Sequence, residues 1–279
     1  MTVESFRFKV GELDCLAVSD GTYAPDAQLI FANALEEELK QALEGHGLQG
    51  AEVPLWEACL LVRTNRHTVL VDTGMGRGRG PTTGRLLLNL EAEGIDPAEI
   101  DTVVLTHGHG DHIGGLTDGE GRLVFPHARD VRSREEWDFW MSAEGRPEMD
   151  EDMAHFLDVK LGPIAHRVEL LENGGEIAPG VRVMDAAGHT PGHMMVEISA
   201  GRRKLLYTSD TLIHPLNLLY PDWYGAGEWD PQQAIVVRRG LLERAAREGL
   251  LLLAFHFPFP GLGYIRGSEE AWRWNPVLP

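Results

Sequence analysis

Cysteine is scarce in this 279-residue chain: Cys15 and Cys59 are the two it has, each in an apolar, strand-like setting. Two thiols cannot build the cross-linked framework of a small secreted domain, so buried, reduced side chains are expected. Positive charge is short too, with 25 Lys and Arg against 43 Asp and Glu and a formal net charge of −18. Such a surface repels polyphosphates and anionic lipid, which argues against nucleic acid or a membrane as partner. Long apolar runs are also missing. Glu4, Arg7 and Lys9 interrupt the first ten residues, so no signal-peptide core is expected there, and no later run reaches the length of a membrane span. A cytoplasmic protein is the expectation. The glycine-rich stretch 74–84 lacks the Gly-Lys-Ser/Thr ending of a phosphate-binding loop. With 43% hydrophobic residues and no low-complexity linker, the chain can bury a full core as one large domain or as two similar halves sharing an interface.

What is present reads as alternating strands and helices. Residues 6–10 and 13–19 alternate as a hairpin turning near Gly11-Glu12, and 58–64 and 68–72 form a second pair turning at Asn65-Arg66. Leu35, Leu39, Ala42 and Leu43 recur at helical spacing within 33–44. Asp96, Ser133 and Asp230 each stand three residues before Glu or Gln, two of them followed by Pro, the signature of a helix start; the last helix should run to about Glu248. Strands recur at 181–186, 194–199, 204–208 and 250–255. This order predicts two packed β-sheets with helices outside.

The chemistry is concentrated in Thr106-His107-Gly108-His109-Gly110-Asp111-His112, which follows the apolar strand 101–105. His107 and His109 point to one side where the chain is extended, and Asp111 and His112 follow where it turns away. Three imidazoles and a carboxylate converge, enough for more than one cation. A single His usually means an ordinary structural residue, but no helix period explains this order. Further ligand-type residues stand at strand ends: His189 and His193 in Gly188-His189-Thr190-Pro191-Gly192-His193, Asp210 after 205–209, and His256 after 250–255.

On these residues the chain resembles the metallo-β-lactamase superfamily, nearly end to end. The resemblance implies an α/β fold, the four-layer αβ/βα sandwich, here a single domain 1–279 made of two similar halves, with residues 20–50 a candidate lid. Carried over by position, His107, His109 and His189 look like the ligands of one metal, Asp111, His112 and His256 like those of the other, and Asp210 like the carboxylate bridging both. Asp72 resembles a residue that braces the metal loop, and His193 one that supports a ligand without binding metal. The donor set suits two divalent ions, Zn²⁺ first, with Mn, Fe or Co compatible.

Departures narrow the activity. The Cys ligand of the zinc β-lactamases is replaced by Asp210, a flavin-linked diiron protein would carry Glu at His109, and the short tail after His256 lacks the helical extension of a glyoxalase II. A single-iron persulfide dioxygenase would leave Asp111 and His256 without a metal. The segment from His256 to Gly263, with 209–214 and 220–224, resembles the branch containing N-acyl-homoserine lactonases and methyl-parathion-hydrolase-like phosphotriesterases. Phe257, Phe259 and Trp223 are expected to line the substrate pocket, because they lie close in sequence to His256 and Asp210. The expected reaction is the opening of a small lactone or ester by a metal-bridging hydroxide, with phosphotriesterase activity as the alternative and a non-catalytic metal-binding or sensing protein as the rival class. Asp111 is the expected proton shuttle, and His214 and Tyr220 are candidates for orienting the substrate. A homodimer is the assembly that the resemblance suggests.

Overall fold

The computed structural model describes residues 4–78, 80–142, 151–172, 174–268 and 271–278. The hairpin forms as β1 (Ser5–Val10) and β2 (Leu13–Tyr23), paired antiparallel through Gly11 in the left-handed region. β2 runs four residues past the expected 13–19 by taking a bulge between Ser19 and Gly21. β3 (Leu55–Arg63) and β4 (Thr68–Val71) follow, then β5 (Thr102–Val104), β6 (Arg129–Ser133) and β7 (Val168–Leu171). These seven make one sheet in chain order, parallel from β4 to β7.

The second sheet repeats the arrangement in reverse order. It comprises β8 (Gly175–Ala178), β9 (Val181–Asp185), β10 (Met194–Ala200), β11 (Arg203–Tyr207), β12 (Leu251–Leu253), β13 (Leu262–Arg266) and β14 (Arg273–Pro276), with β11 and β12 parallel. One apolar cluster joins the two sheets, holding Leu60, Val62, Val104, Val196, Ile198 and Tyr207 together. Residues covered on both faces explain why β3 reads as a near-continuous apolar run.

Helices cover the outer faces, giving the four-layer αβ/βα sandwich. α1 (Ala27–Ile30) and α2 (Glu36–Gly45) form an apolar knot with Phe31, Val53, Leu216 and Trp223. α3 (Leu86–Ala92) packs on β2, and α4 (Gly110–Ile113) is a single turn. α5 (Arg134–Met141) and α6 (Glu151–Leu161) lie beside the first sheet. α7 (Pro231–Glu248) lays Leu241, Leu242 and Ala245 on the second sheet. The Asp96 start signal yields only one tight turn, Pro97–Glu99, because Ile100 returns to extended backbone and feeds β5. Cys15 and Cys59 are both buried and free, and burial pushes the Cys15 thiol up to about 12. No helix among the described residues is long and apolar enough to cross a membrane.

Candidate metal centre

The ligand-type side chains meet at one edge of the sandwich because β4, β5, β9, β11 and β12 all end there. Asp72 follows β4, His107 to His112 follow β5, His189 follows β9, Asp210 follows β11 and His256 follows β12. Two clusters result, His107, His109, His189 and Asp210 in one and Asp111, His112 and His256 in the other, with donor atoms within 4.8 Å of each other in each.

In the first cluster three nitrogens converge. His109 Nδ1 lies 3.0 Å from His107 Nε2 and 2.9 Å from His189 Nε2. Asp210 Oδ2 lies 3.2 Å from His189 Nε2, while its other oxygen, Oδ1, lies 3.0 Å from His112 Nε2 and 3.4 Å from His256 Nε2. Each oxygen of Asp210 therefore faces a different cluster. Asp111 Oδ2 completes the second, 3.4 Å from His256 Nε2.

A cation fits this arrangement better than protons alone do. His112 Nε2 and Asp210 Oδ1 are fully buried with no hydrogen-bond partner, although they stand 3.0 Å apart. Orphaned donor atoms cost stability unless something coordinates them. Burial and the neighbouring His189 keep His109 neutral, with its pKa near 4, and burial with His112 pushes His107 well below its ordinary value. For Asp210, burial would raise the pKa, but His112, His256, His107 and His189 outweigh it and hold the carboxyl well below the usual range. Burial likewise opposes charge on His189, yet Glu228 and Asp210 overcome it and lift that imidazole to about 10. Ionised carboxylates drive protons onto His112 and His189 when no other cation is present, while His107 and His109 stay neutral; a buried set that demands positive charge in this way is the donor chemistry of a divalent-metal site.

The atoms facing away from the centre are held in turn. Asp72 Oδ2 accepts from His112 Nδ1 at 2.8 Å and from the Tyr207 hydroxyl at 2.9 Å, and Oδ1 accepts from Thr106 N at 2.9 Å. Its backbone is left-handed, with φ 59°, an unusual state for a non-glycine residue that aims the carboxylate back under the loop. His193 donates from Nδ1 to the Ala186 carbonyl and accepts at Nε2 from Asp210 N, 3.1 Å away. It fixes the backbone of Asp210 with both nitrogens engaged. His256 Nδ1 donates to the Trp56 carbonyl at 2.9 Å.

Other residues that the sequence singled out belong to neither cluster. His214 is buried, accepts from Leu216 N at Nδ1 and meets Phe31 edge-on at 5.8 Å; burial first, then His46 and His256, keeps it neutral with a pKa near 4. Tyr220 is partly exposed and stacks flat on Trp223 at 3.9 Å. Trp223 also packs on Phe31, so it anchors the knot formed by α1 and α2. Phe257 lies fully buried beside Trp274 in the cluster under α7, the environment of a core residue, and Phe259 is partly buried against the main core.

Three residues that the sequence did not mark stand at the centre. Tyr23, at the end of β2, donates its hydroxyl to Asp111 Oδ2 at 2.8 Å. Glu228 accepts from His189 Nδ1 at 3.0 Å and is held by the buried Arg238 at 3.3 Å. Glu136 joins the His107 and His189 loops from α5. Glu228 stands just before the recognisable Asp230 cap, but no spacing links it to a residue 39 positions away.

Comparison with known proteins agrees with this geometry. A probable metallo-hydrolase of Mycobacterium tuberculosis is 30% identical over 187 residues, 56% of this chain and 56% of the relative, so the chain spans little more than half of that relative's length. An N-acyl homoserine lactonase of Bacillus thuringiensis is 24% identical over 73% of this chain and 81% of its own. Among solved structures, AidC, a dizinc quorum-quenching lactonase, superposes with a TM-score of 0.89 at 28% identity over 99% of this chain and 98% of its own. The hydrolase AbOPH shares the fold with a TM-score of 0.91 at 24% identity, over 100% and 99%. The model of the metallo-beta-lactamase superfamily matches residues 57–255, from near the start of β3 to the residue before His256, and the chain belongs to that superfamily.

Proposed function

We propose that the protein is a binuclear metal-dependent hydrolase that opens lactones, with N-acyl homoserine lactones and related lactones or esters as its substrate class. The observation that carries this reading is the division of Asp210, one oxygen toward His189 and the other toward His112 and His256. In this reading His107, His109 and His189 hold one ion, Asp111, His112 and His256 the other, and Asp210 both. Two divalent ions, zinc by donor chemistry, would supply Lewis acidity there, lowering the pKa of a water toward roughly 7 and polarising the scissile carbonyl.

The chain's own groups then orient and move protons. Asp111, the carboxylate not shared between the clusters, takes the proton of the attacking water and returns it to the leaving alkoxide. Tyr23 holds Asp111 in place and presents a phenol donor beside it. Asp72, Glu228 and the Trp56 carbonyl keep the imidazoles in the tautomers that aim one nitrogen inward. The knot of α1 and α2 supplies apolar cover for an acyl chain, anchored through Phe31 on Trp223. AidC and the Bacillus lactonases support a lactone as the substrate.

The test compares kcat/KM for an acyl-homoserine lactone, a simple γ- or δ-lactone and an aryl phosphotriester at equal metal loading. A lactone should lead by about tenfold or more, since pocket shape, not the metals, chooses the reacting centre. A phosphotriester leading by that margin moves the assignment to phosphotriester hydrolysis. Absence of turnover on every activated ester, with two ions bound, returns the protein to a non-catalytic metal-binding role.

A further inference from the structure

Ser133 and Glu136 carry the spacing of a helix-capping pair, and the Ser133 hydroxyl does accept from Glu136 N, at 3.4 Å. The Glu136 carboxylate is engaged elsewhere. It is fully buried and takes four donors, one from its own helix and three from two other loops. Oε1 accepts from Gly108 N at 2.8 Å and from the Trp140 indole. Oε2 accepts from the Thr190 hydroxyl at 2.6 Å and from Gly192 N at 3.0 Å. Gly108 lies between His107 and His109, and Thr190 and Gly192 directly follow His189. One carboxylate thus ties together the two loops that carry all three imidazoles of the first cluster.

Packing reinforces the tie. A Cβ on Gly108 would stand 2.3 Å from the Trp140 indole nitrogen, and one on Gly192 would stand 2.3 Å from Glu136 N. Both glycines are required because α5 is pressed against both loops. The buried guanidinium of Arg132 places a positive charge near Glu136 and Asp72. The second cluster has separate supports: His112 rests on Asp72, His256 on the Trp56 carbonyl, and Asp111 on Tyr23.

From this asymmetry we infer that Glu136 is a positioning residue that sets the affinity of the first metal site selectively, leaving the second site to its own supports. The inference rests on the binuclear reading above. A general loss of folding would weaken both sites together, so the difference between the sites separates positioning from mere structure.

The experiment titrates Co²⁺ into metal-free protein and follows its visible absorption, assigning the bands of each site with the His189→Ala and His256→Ala variants. In Glu136→Gln an amide nitrogen must face two donors, so one loop is released. The dissociation constant of the first site should rise about 10- to 100-fold, the range for loss of a supporting group, while the second changes little. Thr190→Val, which removes one donor and leaves the carboxylate, should give a smaller change at the same site and serves if the Gln variant does not fold. Equal weakening of both sites, or no change at the first, would overturn the inference. A wild type that binds one Co²⁺ overturns the binuclear reading instead. In that case the two His variants still show which cluster holds the ion, and Glu136 fails if it is the second.

Discussion

Tyr23 donates to the same oxygen of Asp111 that faces His256. Burial, then the charges of Asp111 and Asp210, pushes its phenol well above the ordinary value, so it stays a donor across the physiological range. Tyr23→Phe should therefore lower kcat/KM by about 10- to 100-fold with metal content unchanged, and a variant of wild-type activity would remove Tyr23 from the mechanism. A second buried pair anchors the glycine-rich loop. Asp20 accepts from Gly76 N, Gly84 N and Leu86 N, and Glu57 accepts from Met75 N. Burial first, then the charge of Asp20, pushes Glu57 up to about 10 from an ordinary 4.5. Between those values the folded state holds a proton that the unfolded chain has lost, so this group's contribution to stability falls as pH rises. Gln carries no such proton. Denaturant unfolding at several pH values should show Glu57→Gln gaining on wild type as pH rises, by at most about 1.4 kcal/mol per unit. A constant difference would mean that Glu57 is not protonated in the folded state. The contiguous run from His107 to His112 made half of the centre legible in the sequence. Tyr23 and Asp111 were not legible as a pair, because 88 positions separate them and only folding joins them.

Among the elements, those with complete local signals were readable. α7 has Asp230 accepting from Gln232 N and Gln233 N, Pro231 in its first turn and Gly249 left-handed just past its end. Asp230→Ala should cost about 1 kcal/mol in denaturant unfolding, because two backbone donors lose their acceptor. No measurable loss would mean that water replaces the cap fully. Segment 228–230 also pairs with the His189 loop, through Trp229 N to the His189 carbonyl at 3.0 Å. Part of any loss should therefore appear as weaker metal binding. β6 was hidden for the opposite reason. Its sequence Arg-Asp-Val-Arg-Ser is almost wholly polar, yet it lies between β5 and β7 with Asp130, Val131 and Arg132 buried. Asp130 is tolerated there because Arg167 donates to it at 2.5 Å from a residue 37 positions away. A period-two pattern cannot register a partner at that distance. β14 and β8 are short edge strands whose partners, not their own residues, define them.

At the scale of the whole molecule, the two sheets meet at an edge where carboxylates gather in a chain that already carries −18. Asp72, Asp111, Asp210, Glu136 and Glu228 are all buried around the centre. In the metal-free fold, protons on His189 offset part of that charge, since Glu228 and Asp210 outweigh burial and raise it to about 10. A cation must displace such protons, so metal affinity should increase as pH rises toward that value, and binding should release protons into buffer. Because the clusters draw on both sheets, bound ions also cross-link the halves and stabilise only the folded state. If each site is filled at about 100 times its dissociation constant, each ion adds about 2.7 kcal/mol and the two together about 5. Zn²⁺ should therefore raise the melting temperature of chelator-treated protein, by more at pH 8 than at pH 6. Asp210→Ala, which removes an oxygen from each cluster at once, should lose most of that increment and the activity with it. Elemental analysis of the same samples fixes the stoichiometry. An Asp210→Ala protein that keeps two ions, its thermal increment and its turnover would refute the bridging role of this carboxylate. A wild type whose increment shrinks as pH rises would show that His189 is not protonated in the metal-free fold.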